Sequence, residues 1–174
     1  MRSILRGDVI GHTLRRLAQV FALLGAGIAA AVALLTVASI AGRALLVRPV
    51  PGDVELTQLG IALSISLCLG WCQLQGSNLI VDFFTQRLPQ RPRRWLDAVG
   101  ALLIAVMCGL LAWRTGVGAA AVREAGETSM ILALPMWWAY ASLAPGLALA
   151  ALIALYQAVL LTLGRPPAAL QGSG

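Results

Sequence analysis

Hydrophobic and polar residues are distributed in long blocks along this chain, without the two-residue alternation of a half-buried strand. Leu17–Gly42 and Leu56–Val81 are charge-free over 26 residues each, and Thr128–Gly164 over 37. A further apolar run opens near Ala98 and is interrupted at Arg114. A buried helix of a soluble domain needs roughly 10 to 14 apolar residues and a bilayer span about 20. The blocks therefore predict an all-α integral membrane protein, a single domain over 1–174 with four transmembrane helices at about 17–40, 56–81, 98–122 and 135–163.

The punctuation between blocks sharpens those bounds. Pro49, Pro51 and Gly52 close the first loop. Asp53 then stands at the expected N-cap of the second helix, with Glu55 in its first turn, where carboxylates complement free N–H groups and the helix dipole. The second block is about 39 Å long if wholly helical, more than a hydrocarbon core of about 30 Å, so it is expected to tilt or protrude with Gln73–Asn78 in the headgroup zone. The last block, about 55 Å as one helix, must be split. Met130–Leu134 is expected on the outer surface, Pro135 at the start of the final helix, and Pro145 inside it, freeing the carbonyl of Ala141 and kinking the helix. In the first span, small residues four apart, Gly25 with Ala29 and Ala22 with Ala26, predict close helix approach.

Composition excludes a soluble globule: 59% of residues are hydrophobic and 11% charged, against about 25% charged in typical soluble domains. The net charge of +6 comes from 13 arginines and seven acids. Those arginines flank apolar blocks and form no groove-reading face, so the basicity points to membrane lipids and not to nucleic acid. Nine lie at the N-terminus, in the 76–96 loop and in the tail, against four in the other two loops. The positive-inside rule then places both termini in the cytoplasm, with the first apolar block a retained helix and not a cleaved signal. The densest charge cluster, Gly76–Leu96, becomes a cytoplasmic loop with a short interfacial segment, anchored at the lipid surface by Arg91, Arg93, Arg94 and Trp95. Arg114 follows Trp95 by 19 residues, about 28 Å along a helix, which predicts that it snorkels at the far interface beside Trp113. Trp137, Trp138 and Tyr140 form the expected belt of the last helix. Arg123, Glu124 and Glu127 make the main outward-facing polar patch.

Catalytic chemistry is not encoded in the spans. They contain no Asp, Glu, Lys or His, and the one histidine, His12, precedes the first. Cys68, Cys72 and Cys108 lie in apolar runs without the companions of a metal site, and no disulfide is expected. With no nucleophile and base to pair, an enzyme is not expected, nor is a cofactor or metal. Only one span is interrupted, at Pro145, without the paired interruption of a transporter's internal repeat. These features predict a helper or scaffold.

Three groups of residues resemble the small, DctQ-like membrane subunit of tripartite ATP-independent periplasmic (TRAP) transporters. They are Glu55-Leu56 at the second helix; Gly76, Asn78, Ile80, Val81, Asp82, Leu88 and Pro89 at its exit; and Ser129, Leu132, Pro135, Trp137, Tyr140 and Pro145-Gly146 around the last helix. The histidine often found before the Ile-x-Val-Asp segment in that family is absent, Gln73, Gln75 and Asn78 occupying the region. The resemblance implies a multi-pass subunit of the bacterial inner membrane that scaffolds a large permease subunit. That partner would hold the solute and sodium sites, and a periplasmic solute-binding protein would deliver an organic acid type solute. Two other readings share the architecture: the small subunit of a tripartite tricarboxylate transporter, and a membrane anchor or assembly protein of a redox complex.

Overall fold

The computed structural model describes residues 2–46, 51–75 and 90–163, with side chains over 11–45, 51–75 and 95–163. Four helices account for nearly all of them: α1 Arg2–Leu46, α2 Asp53–Leu74, α3 Gln90–Ala125 and α4 Trp137–Thr162. Among the described residues the only β pairing is an isolated antiparallel bridge between Thr128 and Pro135. Each helix is long and apolar enough to cross a membrane, as the hydropathy blocks require.

Helix bounds differ from the sequence reading where local chemistry intervenes. The second helix is not a 26-residue span: α2 stops at Leu74, with Gln75 as its C-cap, and has 22 residues. At about 33 Å it matches a bilayer core without requiring tilt or protrusion. Gly52, at φ 77°, occupies the N-cap position that Asp53 was expected to fill. Asp53 is the first helical residue, and its Oδ1 accepts from the Val54 N–H at 2.8 Å. The last helix begins at Trp137, two residues after Pro135, whose carbonyl accepts the Trp138 N–H at 3.1 Å. α4 runs on through Pro145.

Consecutive helices are antiparallel, and they pack as an open row in the order α1, α2, α4, α3, with α1 touching α4 only slightly. Register explains why α1 and α2 fit. Ser39 meets Asp53, Val32 meets Gly60, and Gly25 meets Leu67; each step is seven residues on both helices. Ala18 and Leu74, one step further, share an apolar cluster with Leu149, Ile153 and Leu160 of α4. A seven-residue repeat keeps one stripe of each helix against its neighbour. This stripe uses Gly25, with Ala22 beside it accepting from Cys68 Sγ at 3.8 Å, but leaves Ala26 and Ala29 exposed, so the contact recurs every seven residues and not every four. Added Cβ atoms show how close the helices come: at Gly25 one would lie 2.8 Å from Cys68 Sγ and 3.0 Å from the Ser64 carbonyl.

The seam between α3 and α4 is also built from small residues. Ala98, Ala105 and Ala119 are buried, as are Ala101 and Cys108 on the adjoining row, again at multiples of seven. Where α2 and α4 run parallel, Gly146 admits the Ser66 backbone, and a Cβ there would overlap the Ser66 carbonyl and hydroxyl. Without large side chains to interlock, such helices are held by close van der Waals contact and by polar groups that cross the seam.

Candidate functional site

A cluster of polar groups lies at one end of the row, where α1 ends, α2 begins and the α3–α4 connection folds over the start of α2. Ser39 of α1 donates its hydroxyl to Asp53 Oδ2, and the Arg43 guanidinium lies 3.4 Å from the same oxygen. Ser39 is 1% exposed while Arg43 reaches solvent, so Asp53 ties a buried hydroxyl and an outer cation to the first turn of α2.

Glu55 makes the second tie. Its carboxylate accepts from the Ser129 hydroxyl at 2.7 Å, the Ile131 N–H at 2.9 Å and the Leu132 N–H at 3.2 Å. Bonds to an ionised acceptor are stronger than neutral ones, and these three fix the connection onto α2. The connection is preformed for this. α3 ends in a Schellman motif: Gly126, at φ 64°, donates to the Arg123 carbonyl while Glu127 donates to that of Val122. Bonds from Ser129 to Leu134 and from Met136 to Glu127 then close the return. Gly52 supplies the space, since a Cβ there would collide with Leu132. Glu55 and Ser129, taken separately from the sequence as motif residues, thus belong to one contact.

The arginine of the outward patch is engaged as well. The Arg123 guanidinium carbon lies 5.2 Å from the Trp137 ring centre, a cation–π contact, and Trp137 and Trp138 pack edge to face at 5.8 Å. Glu124 and Glu127 are exposed beside them. Tyr140, one turn into α4, packs on Gly118 of α3.

Deeper polar contacts stitch the middle and the far end. Ser64 donates to the Gly25 carbonyl at 2.8 Å and Ser66 to the Leu143 carbonyl at 2.7 Å, two residues before Pro145. At the far end Gln73 Nε2 donates to Gln157 Oε1 at 2.9 Å, and Gln157 Nε2 returns a bond to the Gln73 carbonyl at 3.0 Å. Gln73, one residue before the end of α2, is therefore half of a partly buried interhelical pair. Its partner, 6% exposed, was missed because an amide carries no charge; the signal was a lone glutamine inside an otherwise apolar block.

The remaining expected residues fall in three groups. Trp95, Trp113, Arg114 and Trp138 are exposed on the outer faces of α3 and α4. Arg91, Arg93 and Arg94 fall near the start of α3, with side chains outside the described residues. Gly76, Asn78, Val81, Asp82 and Pro89 lie outside the described residues, as does the interfacial segment expected in that loop. Trp113 and Arg114 do not share a height with the belt of α4: Arg114 precedes Arg123 by nine residues on one helix, about 13 Å, so the two expected anchor sets mark different levels.

No curated protein and no solved structure matches the chain. The family model for tripartite ATP-independent periplasmic transporters, DctQ component, matches residues 32–164, a stretch that holds Asp53, Glu55 and Ser129 with their contacts, the Gln73–Gln157 pair and all of α2, α3 and α4. A multi-pass membrane chain of four apolar helices, it belongs to the DctQ family of TRAP transporter components.

Proposed function

We propose that this chain is the non-catalytic small subunit of a sodium-coupled TRAP transporter in the bacterial inner membrane, where it enlarges the fixed scaffold of a large permease subunit. The observation that carries the proposal, beside family membership, is what its interior polar groups do. Ser39 and Asp53, Glu55 and Ser129, Ser64 and Gly25, Ser66 and Leu143, and Gln73 and Gln157 each join one element to another. Groups used in this way fix helices in place, as a scaffold requires. The large subunit supplies the sites for sodium and for an organic acid type solute.

In this reading the termini and the 76–89 loop face the cytoplasm, and the end bearing Asp53 and Glu55 faces the periplasm. Exposed Glu124 and Glu127, with Arg123, then offer a charged surface to a periplasmic solute-binding protein. Co-purification with a large permease, and absence of uptake when this chain alone is reconstituted, are the expected results. Uptake by the isolated chain would overturn the scaffold role. Charge reversal at Glu124 or Glu127 should weaken coupling to the binding protein and leave assembly intact; unchanged uptake in both would remove the docking assignment.

A further inference from the structure

Among the described residues, Arg114 is the charged residue that the helix register carries into the middle of the row. Gly118 of α3 packs on Tyr140, and Gly109 faces Ala151, where a Cβ would lie 3.9 Å from the alanine's. Arg114, between those two glycines, is therefore level with Pro145 and Gly146 of α4. Gly146 in turn abuts Ser66, which lies thirteen residues into α2 and eight before its end. Measured along α2, that level is about 20 Å from Asp53 and about 12 Å from Leu74. Measured along α3, it is about 13 Å from Arg123, whose contact with Trp137 marks the polar end. Along both helices Arg114 thus lies about 12 Å or more from the polar ends so marked.

Its side chain is exposed, on a face of α3 that carries Leu110 and Val117, and among the described residues it has no hydrogen bond or ion pair. Arginine at such depth is unfavourable in lipid and is characteristically paired with an opposite charge. An arginine side chain is too short to span the roughly 12 Å to the level of Leu74, the nearer polar end. The apolar residues around it suit a lipid-like or protein-like neighbour, while its guanidinium requires an anion.

We propose that the outer face of α3 around Arg114 is the contact with the large permease subunit, and that the guanidinium pairs there with a carboxylate of a transmembrane helix of that partner. This inference rests on the scaffold reading given above. The planar fork of arginine can form two parallel bonds to a carboxylate, which lysine cannot reproduce. Charge pairing at this depth fixes both the register and the rotation of the partner helix.

The test uses the full chain co-expressed with its large permease. Arg114→Leu and Arg114→Gln are expected to insert at wild-type levels, since the side chain is exposed and has no hydrogen bond or ion pair among the described residues, yet to lower the recovered complex by about thirtyfold or more, the loss expected for an interfacial charge left unpaired. Arg114→Lys is expected to restore only part of it. A photo-crosslinker at Leu110 or Val117 should capture the large subunit, and Arg114→Asp should be rescued by one acid-to-arginine change among the partner's intramembrane carboxylates. If Arg114→Leu assembles as wild type and the crosslinker captures lipid alone, the arginine serves a phosphate headgroup and the inference is overturned while the scaffold reading stands. Failure of the wild-type chain to co-purify with any large permease would overturn both.

Discussion

Single residues in this chain act through what they permit or hold. Gly146 permits: its missing Cβ is the space into which the Ser66 backbone fits. Gly146→Leu must push α2 from α4 and is expected to destabilise the chain by about 1–3 kcal/mol, the usual range for overpacking, read as a lower unfolding midpoint in detergent. Glu55 holds: its carboxylate takes both the Ser129 hydroxyl and two backbone N–H groups. Glu55→Gln removes the charge and half the acceptor capacity. Amide exchange at Ile131 and Leu132 should then accelerate while α1 stays protected; unaltered exchange would show that the carboxylate does not hold the connection. Both residues were visible in the sequence, but their partners were not, because residues 55 and 129 come together only through the folding of three helices.

At the scale of elements, the chain shows what hydropathy reveals and what it omits. Four spans follow directly from long apolar blocks, since length and charge decide whether a segment can cross a bilayer. Which face of each helix is buried does not follow, because in lipid both faces are apolar. The useful signal was the seven-residue recurrence of small residues, Ala18, Gly25 and Ser39 in α1 and Ala98, Ala105 and Ala119 in α3, all buried. The four-residue spacing chosen from the sequence picked Gly25 and Ala22 correctly and the exposed Ala26 and Ala29 wrongly. Polar groups crossing the seams offer a direct test. Gln157→Leu leaves the Gln73 side chain without its partner and should cost about 1 kcal/mol. The double change with Gln73→Leu should cost less than the sum of the two single changes; strict additivity would deny that the two side chains interact.

The whole molecule is an open row and not a closed bundle, with α1 and α3 at its two edges. Cysteine pairs report this arrangement. Val32→Cys with Gly60→Cys, and Gly109→Cys with Ala151→Cys, should cross-link efficiently in membranes, whereas pairs joining α1 to α3 should not. A closed four-helix bundle would reverse the second result. Sequence gave no access to this order, because an uninterrupted apolar surface is compatible with any neighbour. Family membership carries the function further than geometry does.

The polar ties at the Asp53 end have a mechanical consequence. At the Asp53 end, α1, α2 and the α3–α4 connection are riveted by short directional bonds and a stacked cation. Toward the Leu74 end, α2 and α4 are joined by the Gln73–Gln157 amide pair and by apolar contact around Leu149 and Ile153. The Asp53 end is thus built like a riveted gusset: a load applied by a moving neighbour cannot splay its helices there without breaking directional bonds.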